Sequence, residues 1–150
     1  MKNALFIVPV AIVSFLALTG FRGAPSTAKE DFAAKQAKFT RIATAKVDNA
    51  LDDLKATPDQ RVKVQALKDG LLKEGAVVVQ GNQATRAELT ALWSSEKPDA
   101  RVVHAIVDAR FEAVRGLVNQ AVDAVLELHA ILSPAQRAQV SEKAEAMHRY

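Results

Sequence analysis

No cysteine occurs anywhere in the sequence. Disulfides, thiolate metal sites and a lipid-anchoring cysteine are thereby excluded. Aromatic residues make up only 5% of the chain, with six glycines and five prolines in 150 residues. That poverty of aromatic and turn-forming residues argues against a sheet protein, and the prevalence of Ala, Val, Leu, Lys, Glu and Gln favours helix. There is no Gly-rich phosphate loop, no HExxH and no nucleophile elbow, so the common hydrolase and nucleotide-binding chemistries have no foothold. Nor is there a basic block of the kind that tracks nucleic-acid phosphates, and two of the charges behind the net +3, Lys2 and Arg22, flank the N-terminal apolar run. The chain is expected not to be an enzyme, to hold no cofactor and to bind no nucleic acid.

One long apolar run is present, Ala4 to Leu18 after Met1-Lys2-Asn3. A short basic segment before such a run is the pattern of a secretory signal. It is shorter than the roughly 20 residues a membrane-spanning helix needs. Small residues at Ser26-Thr27-Ala28 or Gly23-Ala24 offer cleavage points. Residues 1–28 therefore read as a signal peptide, or as an uncleaved N-terminal membrane anchor with a linker. Either reading exports residues 29–150, to the periplasm or tethered to the outer side of the inner membrane.

From Phe32 onward the apolar spacing is helical. Phe32, Phe39, Ile42, Val47, Leu51 and Leu54 mark one amphipathic helix ending near Lys55. Thr57 then suits an N-cap, Pro58 the first helical position and Gln60 the third, where its side chain can return to the cap. The helix this opens is expected to run to about Val79 and to break at Gly81-Asn82. A second capping box, Thr85 to Glu88, is expected to start a short helix through Leu92 and Trp93. The longest helix should begin at Pro98 or Asp99 and end near Ile131, with Trp93 and Phe111 in the core. Leu132-Ser133-Pro134-Ala135-Gln136 repeats the grammar of the first junction and opens a final helix through Val140, Ala144 and Met147. No strand-like alternation occurs.

The hydroxyl-Pro-x-Gln pair resembles the paired LTxxQ motifs of the Spy/CpxP family of periplasmic proteins. Leu132 to Gln136 matches with Ser for Thr, and Leu51 to Gln60 matches the first site with Ala56 in place of the motif leucine. Arg86 to Leu89 with Leu92 and Trp93, followed by Asp99, is similar to that family's middle segment. The resemblance implies an all-α fold of long bent helices with the motifs at their junctions. It implies a cradle-like antiparallel homodimer, and structural roles for Thr57, Pro58, Gln60, Leu132, Ser133, Pro134 and Gln136. It further implies an ATP-independent chaperone for unfolded envelope proteins, a brake on a membrane stress sensor, or a heavy-metal-responsive regulator. A helical protein with one fixed partner is a further alternative.

Metal sensing would call on imidazole. His104 and Asp108 lie one helical turn apart and share a face, His129 is on the same long helix, and His148 is near the C-terminus. Arg61, Lys63, Lys68, Arg101, Arg110 and Arg115 are candidates for a client-facing surface, against the plainer reading of solvated helix faces. Asp52 and Asp53, being adjacent on a helix, point apart and read as a solvated helix end rather than a catalytic pair.

Overall fold

The computed structural model describes the backbone of residues 28–148 and the side chains of residues 32–146. The N-terminal apolar run, its cleavage points and the side chain of His148 lie outside those residues. The described chain is all α-helical. Helix α1 spans Ala28–Asp53, α2 Pro58–Trp93, α3 Ala100–Ile131 and α4 Pro134–His148.

Three of the four helices run back and forth. Across the first corner, Asp52 pairs with Arg61, Asp48 with Gln65 and Thr44 with Lys68. Each step away from the turn on α1 is matched by a step away on α2, which makes the two helices antiparallel. Gln60 meets Ile131 at one end of the next hairpin, and Gly81 faces Arg110 well along it. Helix α3 therefore runs back along α2, and this is the more extensive of the two helix pairings.

The α1–α2 corner closes by a specific C-cap. The Lys55 N–H donates to the Asp52 carbonyl at 3.0 Å and the Ala56 N–H to the Leu51 carbonyl at 2.9 Å. Lys55 takes the left-handed conformation, φ 50°, that this closure needs. Leu51 and Ala56, which the outer bond joins, and Leu54 between them are all buried.

The core sits at this end of the molecule. Val47 and Leu51 of α1, Val64, Leu71 and Val78 of α2, and Leu117 and Ala121 of α3 form one buried cluster with Ala56. Beyond it, from Val79 to Gly116, no residue is buried. Among the described residues this stretch is chiefly the α2–α3 hairpin, and two helices cannot enclose a core.

That thinness overturns several sequence expectations. Trp93 is 86% exposed and Phe111 66% exposed, so neither is a core residue. The expected break at Gly81-Asn82 and the separate helix from Thr85 do not form, because α2 continues without interruption to Trp93. A mid-helix glycine costs only about 1 kcal/mol relative to alanine. The partly buried Val79, Asn82 and Leu89 keep a packing face through that stretch, which outweighs the local signal. A capping box acts only where a helix begins, and the N–H groups after Thr85 already have intrahelical partners.

Candidate functional site

The two motifs meet. Thr57 caps α2: its hydroxyl accepts the Gln60 N–H at 3.3 Å, and the Gln60 Oε1 accepts the Thr57 N–H at 2.9 Å. Ser133 and Gln136 repeat this at the start of α4, with distances of 3.3 and 2.8 Å. Pro58 and Pro134 occupy the first helical positions, where a missing N–H leaves no bond unmade.

Each glutamine then reaches across. The Gln60 Nε2 donates to the Ile131 carbonyl and to the Gln136 Oε1, both at 2.9 Å. The Gln136 Nε2 donates to the Leu54 carbonyl and to the Gln60 Oε1, both at 3.1 Å. An amide side chain offers two donors and two acceptor lone pairs. Counting its own cap, each glutamine uses all four. The start of α2 is thus tied to the end of α3, and the start of α4 to the end of α1. Beneath this clasp lie the buried Leu54 and Leu132. Ala56, in the place of a motif leucine, is buried as well.

Charges brace the same end. Asp52 pairs with Arg61 at 2.7 Å, and Arg61 also donates to the Ala56 carbonyl. Asp53 pairs with Lys143 of α4 at 2.9 Å. The two aspartates therefore serve different helices. Arg137 donates to the His129 carbonyl at 3.2 Å, a cation at the negative end of α3.

The candidate client-facing residues are not brought together. Lys68 is buried, donating to Thr44 Oγ1 at 3.0 Å and pairing with Asp69, so it presents no surface to a client. Arg61 belongs to the corner, and Lys63 is exposed. Arg115 pairs with Glu112 on the open face of α3. Arg101 sits at the start of α3 beside Asp99, which caps that helix. The Arg101 backbone N–H, and next its side chain, hold the Asp99 carboxyl below its ordinary pKa. Arg110 is half-buried against α2, and burial lowers its pKa.

His104 and Asp108 are both exposed on α3. His129 is more than twenty positions further along, with the Arg137 guanidinium 3.4 Å from its Nδ1. No three His, Asp or Glu side chains converge among the described residues.

A strip on α3 is not apparent from the sequence pattern alone. Phe111, Val118, Val122 and Leu126 are exposed. Their spacings of seven, four and four place them along one helix face, with Arg115 among them. The buried positions Leu117 and Ala121 lie on the neighbouring face. The sequence carried only part of the signal: the apolar residues of α3 span a wider arc than one partner helix can cover.

The LTXXQ motif family, described as LTXXQ motif family protein, matches residues 28–144. The chain belongs to the LTXXQ motif family. This family contains the Spy/CpxP-type periplasmic proteins. No curated protein and no solved structure was found to match the chain. The matched span runs from the start of α1 into α4 and takes in both capping glutamines of the clasp.

Proposed function

We propose that this family member is an exported, non-enzymatic binding protein that holds unfolded envelope proteins without ATP. The observation that carries the reading is the exposed strip of Phe111, Val118, Val122 and Leu126 on α3, with the Arg115–Glu112 pair set beside Phe111. Contiguous apolar surface rimmed by charge marks an interaction face. Such a face binds many partners weakly, because it offers area without a shaped pocket. Family membership supports the same reading, since the family is typically periplasmic. So does the basic-then-apolar N-terminus. Among the described residues no helix is long and apolar enough to cross a membrane. A second copy covering part of the strip, in an antiparallel homodimer, fits the thin two-helix half, which has no core of its own.

The test dilutes a chemically denatured substrate protein into buffer with the purified protein and no ATP, and follows aggregation by light scattering. Suppression near equimolar ratio is expected, unchanged by a metal chelator. Phe111→Ser together with Leu126→Ser should weaken it while leaving helix content intact. Suppression that survives this double substitution would remove the strip from the proposal.

A further inference from the structure

A groove of about 760 Å³ lies between the second half of α2 and the first half of α3, open along one side. It is shallow, and Val102, Ala105 and Ala109 along its floor are exposed. Its inner end is formed by Gly81, Ala113 and Arg110, and its outer end by Glu88, Asp99 and Arg101. Between them the floor is Val102, Ala105, Ile106 and Ala109. From Ala113 to Val102 the floor measures about 16 Å at the helical rise.

The two ends differ in charge. At the outer end Asp99 is satisfied by Arg101, and Glu88 is exposed to water. At the inner end Arg110 is a half-buried residue, and no group among the described residues pairs with its guanidinium. Leaving such a cation partly desolvated and unpaired is unfavourable. The fold nonetheless makes room for it. A Cβ on Gly81 would meet the Arg110 Nη1 at 3.3 Å, so this mid-helix glycine lets the guanidinium lie close against α2. The groove thus has an unpaired cation at one end, an apolar trough, and acidic groups at its mouth.

We infer that this groove binds a monoanionic amphiphile: a single carboxylate on Arg110, with a medium-length hydrocarbon chain along Ala109, Ile106, Ala105 and Val102. A carboxylate matches the planar fork of a guanidinium in a way a neutral headgroup does not. Glu88 and Asp99 disfavour a second negative charge at the far end. The trough itself argues for hydrocarbon over polypeptide. Between its ends the lining side chains offer one hydroxyl, Thr85. A peptide laid there would bring amide groups that find few partners, whereas a hydrocarbon chain brings none.

The inference is independent of client binding, because its readout is a small ligand rather than aggregation. Decanoate, below its micellar concentration, is titrated into the purified protein by calorimetry, with decanol as the uncharged control. Saturable one-to-one binding of decanoate is expected, roughly ten- to hundredfold tighter than decanol, which is the worth of a charge-assisted hydrogen bond. Arg110→Met should erase that difference, and Ala109→Phe should abolish binding by filling the trough. Neither residue is in the core, so helix content by circular dichroism should match the parent protein. Equal binding of decanoate and decanol, or unchanged decanoate affinity in Arg110→Met, would overturn the inference. So would tight binding of an apolar peptide with a free C-terminal carboxylate where decanoate fails to bind, since that would make the groove a protein-binding site.

Discussion

A glutamine at position 60 or 136 does what no other side chain could do there. Glutamate has no donors for the Ile131 or Leu54 carbonyl, and asparagine is one carbon too short to cap its own helix and reach the partner amide. Gln136 is buried, so its loss strands the Leu54 carbonyl and the Ser133 N–H. Gln136→Ala should therefore cost about 2–3 kcal/mol in denaturant unfolding, near the upper end for hydrogen-bonded buried groups. Gln60→Ala, at a half-buried position, should cost about 1–2 kcal/mol. The two amides bond each other directly, so the double variant should fall short of the summed losses by about 1 kcal/mol or more. Additivity to within about 0.3 kcal/mol would mean that the two junctions act separately. The surface pairs at this corner, Asp52–Arg61 and Asp53–Lys143, should matter much less, because exposed ion pairs contribute little.

At the scale of the helix, α2 shows two glycines with opposite meanings. Around Gly70 a Cβ would meet nothing within 4 Å, and the residue is exposed. Gly70→Ala should raise stability by about 0.5–1 kcal/mol, through helix propensity and a less flexible unfolded chain. Gly81→Ala should gain less than this, because its Cβ presses on Arg110. Comparing the two midpoints in urea checks the prediction, and equal gains would show that Arg110 moves aside freely. The same contrast explains why Gly81 does not end the helix. A glycine stops a helix when the chain turns into the left-handed region after it, and no glycine among the described residues has a positive φ. The residue that does adopt that conformation is Lys55, at the corner the glutamines brace.

For the whole molecule, the distribution of burial predicts uneven stability. One half has three helices, a core and the clasp; the other is a two-helix hairpin with no buried residue from Val79 to Gly116. At concentrations low enough to keep the protein monomeric, native-state hydrogen exchange should show amides of residues 80–115 opening well before those around Val47 to Leu71 and Leu117 to Ile131. Uniform protection along α2 and α3 at higher concentration would mean that a second copy covers the outer half. That half also holds the groove and part of the apolar strip. Both candidate binding surfaces therefore draw on the least consolidated part of the protein, where helices can adjust to an occupant without disturbing the core.

The sequence by itself determined the helical class, the first and last junctions and the residues that cap them. Those features depend on contacts three or four residues apart: the period of apolar residues, a hydroxyl, a proline and a glutamine in fixed order. The LTXXQ family could be read from the same short patterns. Tertiary structure alone decided that Gln60 and Gln136 bond each other across 76 positions of chain, that Lys68 is buried while Trp93 and Phe111 are not, and that α2 passes through Gly81 without a break. Each of these turns on which helix lies alongside which. An apolar residue is buried only where enough neighbours surround it. In this chain three helices provide that cover at one end and two fail to provide it at the other.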